Sequence, residues 1–333
     1  MKAFVMCAGK GTRLLPLTLK MPKPMIRICN KPILCNTINI LKQANIKDIT
    51  INLHFLPDMI KSYFNDGTDF GVNIEYSFEK ELLGTAGGLG KVREKFIDDT
   101  FVIMSGDGLV DLDLKKVIDF HKSKKSLATI VLKKYDFILP YGVVVSDENN
   151  RIKSFVEKPK IQDIYENRIN TGIYIFEPEI FDYIPKSQFC DFGDNIFPLL
   201  LQKDIPIFEY ETEDYWCDIG DIKAYKRAQL DVLHGKLIKS NVFADNFNYK
   251  VKNANIHLDD KSVIGLFNNF DHNVTIKESV IGNNCKIERN AFIKNSIIGD
   301  SVYIKNNSYI ENCILLDNCF IPKYMGVYEA IFE

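Results

Sequence analysis

Aliphatic residues between positions 264 and 321 recur at six, six and five residues, and that spacing constrains this part of the chain more than any other feature. Ile281, Ile287 and Ile293 form one set, Ile298, Ile304 and Ile310 the next, and Leu315 and Ile321 open a third; Ile264, Phe270 and Ile276 extend the pattern backwards. The full period is 17 residues. Two residues before many of these positions stands a small or slim side chain: Val274, Cys285, Ala291, Val302, Ser308 or Cys319. A three-sided prism requires this pairing. Each flat side turns one aliphatic and one small residue inward, and each coil buries its apolar edge only against the next. Separate antiparallel strands have no reason to hold a constant offset through successive coils. The repeat predicts a parallel β-helix built from hexapeptides.

Upstream the pattern differs. Short runs at 2–7, 48–53, 73–77, 100–104, 127–132 and 172–176 are rich in β-branched and aromatic residues, and helical periodicity lies between them at 32–44 and 114–122. This alternation predicts α/β architecture, a mainly parallel sheet covered by helices. The run AYKRAQLDVL within 222–237 reads as the last helix of that domain, and the polar, Asn-rich stretch 238–255 as a connection. Two domains follow, 1–237 and 238–333, in keeping with a total of 333 residues.

A formal net charge of -2 argues against a surface built for nucleic acid but leaves room for a local basic patch on a phosphorylated ligand. The eight cysteines (Cys7, Cys29, Cys35, Cys190, Cys217, Cys285, Cys313, Cys319) show no CxxC and no cluster with histidine, the usage expected of reduced thiols in a cytoplasmic protein. No apolar stretch approaches the roughly 18 residues of a membrane span, so no membrane partner is expected.

The stretch CAGKGTRLLPLTLKMPKPM, residues 7–25, follows the first predicted strand. It lacks the spacing of a P-loop, and Leu14 stands where a dinucleotide fingerprint needs its third glycine. A tight turn remains, in which Gly9 and Gly11 let backbone N–H groups approach a triphosphate gripped by the forked donors of Arg13. Lys23, with proline on both sides, reads as held in an extended segment that presents its amine. Lys10 and Lys20 read as ordinary surface charges.

The whole run A-G-x-G-T-R-L-x-P-L-T-x-x-x-P-K-P-M, Ala8 to Met25, resembles the signature of the sugar-nucleotide pyrophosphorylases, which join an NTP to a sugar 1-phosphate. The hexapeptide repeat is similar to the tail carried by several members. The resemblance implies a Rossmann-like, mostly parallel nucleotidyltransferase domain followed by a left-handed parallel β-helix. It implies nucleotide contacts at Ala8, Gly9, Gly11 and Thr12, catalytic cations at Arg13 and Lys23, and two strand-end carboxylates that hold Mg²⁺, Asp107 and Asp218. Asp111, Asp113, Asp214 and Asp221 are expected as turn or capping residues.

For the sugar phosphate, Glu157 and Lys158 resemble the family's E-K-P motif, and Gly142, Asn170 and Thr171 two further sugar-site motifs. The segment Leu83-Gly84-Thr85-Ala86-Gly87 resembles that of guanylyl-transferring members, which implies Gly84 and Thr85 beside the base and GTP with mannose 1-phosphate as the substrates. Alternatives are uridylyl, thymidylyl or cytidylyl transfer to another sugar 1-phosphate, or a catalytically silent regulatory relative. A second, acyl-transferring activity would want a histidine on the β-helix surface, where His257 and His272 lie. The β-helix is expected to order subunits in a homo-oligomer.

Overall fold

The computed structural model describes residues 1–135, 141–157, 167–240, 242–243 and 256–332. Packing divides the chain into two units, Met1–Met25 with Ile33–Asp218, and Ile26–Pro32 with Ile219–Glu333. The boundary drawn at 237/238 from the sequence follows chain order; by packing, the helix at 222–233 goes with the coils.

In the first unit β1 (Lys2–Met6), β2 (Asp48–Leu53), β3 (Asn73–Phe78) and β4 (Phe101–Ser105) run parallel in the order β4-β1-β2-β3. They carry the predicted apolar, β-branched runs with bounds shifted by one residue at most. A three-residue strand β5 (Gly108–Val110) follows, then β6 (Ala128–Lys134), β7 (Val143–Ser146), β8 (Ile152–Val156), β9 (Arg168–Phe176), β10 (Ile207–Thr212) and β11 (Trp216–Asp218). β9 is antiparallel to both β4 and β6, so the parallel half passes into a mixed half at that strand. The run expected at 172–176 is the end of β9, which begins at Arg168 and shifts register between Asn170 and Tyr174.

Helices α1 (Leu34–Gln43), α2 (Pro57–Phe64), α3 (Gly84–Lys91), α4 (Leu114–Lys124) and α5 (Phe197–Gln202) complete this unit. Phe4, Phe101, Phe176, Phe192 and Phe197 are fully buried in its core. Since β1 to β4 point the same way, Cys7, Asn52, Glu79 and Asp107 all come to the carboxyl edge, where open α/β sheets bind ligands. No described helix is long and apolar enough to cross a membrane.

In the second unit, α6 (Ile222–Leu233) is capped by Asp221, whose Oδ1 accepts from Ala224 N at 2.8 Å, the capping role expected of that residue. Beyond it, short strands stack in three parallel sheets; the first strand, Ile256–Leu258, pairs 18 positions on, and every later pairing joins residues 17 apart, as in Ile276↔Ile293 and Ile287↔Ile304. Every aliphatic position of the repeat from Ile264 to Ile321 is buried, and so are Val274, Cys285, Ala291, Val302, Ser308 and Cys319. The predicted β-helix is present with its predicted inward residues.

The corners show what the isoleucine pattern did not. Three positions per coil have positive φ: the series Phe267, Asn284, Ser301, Asn318; then Asn273, Asn290, Asn307, Tyr324; then Glu278, Asn295, Asn312, Glu329. Asparagine tolerates this left-handed conformation better than other residues with a side chain. Stacked asparagines also bond one another, Asn273 Nδ2 to Asn290 Oδ1 at 2.8 Å and Asn290 Nδ2 to Asn307 Oδ1 at 2.9 Å. Asn290→Val and Asn290→Gly both remove that ladder, so their difference isolates the backbone. Urea denaturation should find the valine variant about 1–3 kcal/mol less stable than the glycine variant; equal stabilities would contradict the corner reading.

Candidate active site

The loop after β1 is built on Gly11. Its φ of 63° lies in the left-handed region, and a Cβ there would stand 3.1 Å from both Lys23 Cβ and Thr18 Cγ2. Thr18 Oγ1 donates to Gly11 O at 2.9 Å, and Cys7 N donates to Asn52 Oδ1 at 2.7 Å. Ala8 is buried beneath the loop, while Gly9, Thr12 and Arg13 are exposed. Gly9 differs from Gly11: nothing lies within 4 Å of a Cβ added to it, and its φ is not positive. Packing does not explain a glycine there, whereas close approach of a ligand does.

Lys23 is not in an extended segment. Lys23–Met25 forms a single 3-10 turn in which Met25 N donates to Pro22 O at 2.8 Å, because the fixed φ of proline suits a turn as well as an extended chain. Its amine is not presented to solvent either. The residue is 8% exposed, and Nζ lies 2.7 Å from Asp107 Oδ2 and 3.1 Å from Asp218 Oδ1.

Backbone pairing explains how two residues so far apart in sequence reach one amine. β5 and β11 form an antiparallel ribbon in which Asp218 stands opposite Gly108, the neighbour of Asp107. Burial opposes the charged form of Asp107, but the Lys23 ammonium and the Ser105 hydroxyl outweigh it and hold its carboxyl below the usual range. At Asp218 burial wins; with the charge of Asp107 it pushes this carboxyl up, against the pull of Lys23 and Arg13. Burial also opposes a charged Lys23, and the two carboxylates overcome it, keeping the amine protonated.

One amine against two carboxylates leaves the group net negative in a largely buried place, a donor set of hard oxygens that suits a divalent cation. Mg²⁺ is commonly held by one or two carboxylates together with substrate phosphates. Two carboxylates are too few to complete a coordination sphere, so these residues fit an ion whose other ligands come from a substrate or solvent.

Gly142, Glu157 and Asn170 are brought together. Asn170 N donates to Gly142 O at 2.9 Å, and a Cβ on Gly142 would meet Glu157 Oε2 at 2.7 Å. Asn170 is inside β9 at the register shift, where its Nδ2 donates to Tyr174 Oη at 2.9 Å. Thr171 is turned inward: it is buried, its hydroxyl donates to Val131 O at 2.7 Å and its carbonyl accepts from Trp216 Nε1 at 3.2 Å. Lys158 lies outside the described residues. Tyr141, which precedes Gly142 in its sugar-site motif, packs with Tyr135 and Trp216, the ring centroids 5.6–6.1 Å apart, a grouping that the sequence did not show.

Gly84 and Thr85 open α3, and their immediate neighbours are protein. Thr85 N and Oγ1 donate to Asp191 Oδ1 at 2.8 and 2.9 Å, and Ala86 N and Gly87 N both donate to Cys190 O at 2.9 Å. The first-turn donors of this helix are thus engaged by segment 190–191, and a Cβ on Gly87 would fall 2.1 Å from Gln188 O. The glycines of this segment are accounted for by docking of α3. Among the other aspartates, Asp214 Oδ2 accepts from Asp113 N at 3.1 Å, a turn contact as expected.

Residues 2–235 match the family model described as nucleotidyl transferase, and residues 253–331 that described as GlmU-like, C-terminal hexapeptide. A UTP--glucose-1-phosphate uridylyltransferase of Synechocystis sp. is 44% identical over 70% of this chain and 63% of its own length. A mannose-1-phosphate guanylyltransferase of Mycobacterium tuberculosis is 35% identical over 70% of this chain and 65% of its own. The mannose-1-phosphate guanylyltransferase catalytic subunit beta of Xenopus tropicalis is 36% identical over 68% and 62%. The matches therefore span less than two thirds of these relatives. Among solved structures, HddC from Yersinia pseudotuberculosis complexed with GMP-PN aligns with a TM-score of 0.60 and 25% identity over 69% of this chain and 99% of that one.

The two kinds of glycine can be told apart by stability. Helix propensity alone would make Gly87→Ala stabilising by about 1 kcal/mol. Overlap with a backbone carbonyl reverses the sign, and a net loss of about 1–3 kcal/mol is expected. Gly9→Ala should leave the unfolding midpoint unchanged. Chemical denaturation checks both; a destabilised Gly9→Ala would mean that packing, not a ligand, requires that glycine.

Proposed function

Because the chain belongs to the nucleotidyl transferase family, we propose that it transfers a nucleotidyl group from an NTP to a sugar 1-phosphate. A phosphate oxygen of the sugar 1-phosphate attacks the α-phosphorus; the new P–O bond forms as the bond to the β-phosphate bridging oxygen breaks, and pyrophosphate leaves with the electron pair. The observation that carries this reading is the pairing of one buried amine, Lys23, with Asp107 and Asp218 beside the Gly9–Gly11 loop.

Such a reaction asks a protein mainly for positioning and for charge where charge develops. Gly9 and Gly11 let the loop lie against the triphosphate. Arg13, exposed and close enough to act on Asp218, neutralises the departing pyrophosphate. Lys23 meets the α-phosphate. Asp107 and Asp218 would hold Mg²⁺, which supplies further neutralisation of phosphate charge when bound. Glu157 and Asn170 face the sugar hydroxyls, and Lys158 takes the sugar phosphate.

Two substrate pairs stand behind this reading. GTP with mannose 1-phosphate is the pair implied by the Gly84–Gly87 segment and named by the relatives at 35% and 36% identity. UTP with glucose 1-phosphate is named by the relative at 44%. The second is favoured, because the relative that names it has the higher identity and the N–H groups of residues 85–87, the basis of the first pair, are engaged by residues 190 and 191. Self-association through the β-helix is part of the same proposal; sedimentation velocity of the intact chain checks it, and a monomer at every concentration would contradict it.

The deciding experiment is a matrix of five NTPs against mannose, glucose and N-acetylglucosamine 1-phosphates, read by pyrophosphate release. One pair should dominate, with UTP and glucose 1-phosphate first. In that reaction Lys23→Ala should lower turnover on the order of a hundredfold, the scale lost with one charge-stabilising group. Absence of turnover with every pair would restore the silent, regulatory reading.

A further inference from the structure

Two buried polar side chains at the carboxyl edge have no task in the reaction as described. Asn52 is 2% exposed and Glu79 is 1% exposed, one near the end of β2 and the other immediately after β3. They form one chain of hydrogen bonds. Cys7 N donates to Asn52 Oδ1 at 2.7 Å, Asn52 Nδ2 donates to Glu79 Oε1 at 2.7 Å, and Leu83 N donates to Glu79 Oε2 at 3.0 Å. Glu79 is itself held by its backbone, its N donating to Leu53 O at 2.7 Å. Gly88 of α3 leaves room for the pair: a Cβ there would stand 2.5 Å from Glu79 Oε1 and 2.8 Å from Asn52 Nδ2.

The chain has a direction. A backbone N–H can only donate, so Asn52 must turn its oxygen to Cys7 and its amide to Glu79. Glu79 then receives donors from both sides, Asn52 and Leu83 N–H, and only a side chain with two acceptor oxygens can end such a chain. A glutamine would set its own NH₂ against one of the two donors. This accounts for a carboxylate at a buried position, where an ionised group otherwise carries a desolvation penalty.

The two ends are Cys7, where the Gly9–Gly11 loop begins, and Leu83, immediately before Gly84. We propose that Asn52 and Glu79 are positioning residues for the nucleotide, fixing the Cys7–Gly11 loop that meets the NTP against the docked Leu83–Gly84 segment. The proposal rests on the nucleotidyltransferase reading above. Neither side chain touches substrate; both act through the backbone they hold.

The test reverses the polarity of the chain. Glu79→Gln alone opposes two donors, and Asn52→Asp alone opposes two carboxylates. The double variant N52D/E79Q matches every group again with the same net charge: Cys7 N to Asp Oδ1, Gln Nε2 to Asp Oδ2, Leu83 N to Gln Oε1. Backbone amide exchange at residues 7–12 and 83–86, followed by mass spectrometry, should be faster on the order of tenfold in each single variant, as expected when one buried polar contact is left unmatched. It should return to wild-type rates in the double variant.

With substrates, the single variants should raise KM for the NTP by about the same factor and leave KM for the sugar 1-phosphate unchanged. Unchanged exchange in Glu79→Gln, no recovery in the double variant, or an equal rise of both KM values would overturn the proposal. Should both single variants fail to fold, the double variant still decides: wild-type exchange supports the chain, and misfolding or fast exchange refutes it. A wild-type protein inert toward every NTP would defeat the proposed function, whereas the exchange series needs no substrate and judges the link between the two loops separately.

Discussion

A protonated amine buried between two carboxylates is the interaction on which the first unit depends. Lys23 enters from a turn after the first loop, Asp107 from the end of β4, and Asp218 from a short ribbon 195 residues beyond Lys23. None of the three would be stable there alone, since an uncompensated buried charge is strongly destabilising, by roughly 3–5 kcal/mol when one partner of a buried pair is removed. Together they pin three distant segments to one point. The arrangement remains short of one positive charge, and the proposed function uses that shortfall to hold a cation beside a phosphorylated substrate.

Around that point the protein separates binding surface from support. The Gly9–Gly11 loop is open on one side and braced on the other by Thr18, Lys23 and the Asn52–Glu79 chain. Helix α3 contributes through its fit against residues 188–191, where its glycines admit close backbone contact. The second unit obeys a different rule, in which each coil is satisfied by its neighbours 17 residues away and the corners are set by left-handed residues.

Where a physical period was long, the sequence could be read. Ten aliphatic positions and Phe270, from Ile264 to Ile321, all proved buried, because a prism offers each only one place to go. The four parallel strands were legible for the same reason, as buried apolar runs. What stayed hidden was short or dual in meaning. β5 and β11 are three residues each, too short for a pattern, yet they bring Asp218 to Asp107. Proline on both sides of Lys23 was compatible with a turn as well as an extended segment. Thr171 sits in a sugar-site motif, but the register shift in β9 turns its hydroxyl to Val131. Asn52 and Glu79 gave one signal, a polar residue at the end of each of two strands, with no period to connect them.

In the proposed function, Asp107 and Asp218 form with Lys23 a site completed by a metal and a nucleotide together. Mn²⁺ binding followed by electron paramagnetic resonance, with and without a non-hydrolysable NTP analogue, tests it without relying on turnover. The wild-type protein should take up Mn²⁺ weakly alone and much more tightly with the analogue, and Asp107→Asn or Asp218→Asn should each abolish the gain. Nucleotide-dependent Mn²⁺ binding that persists undiminished in both folded variants would contradict the claim.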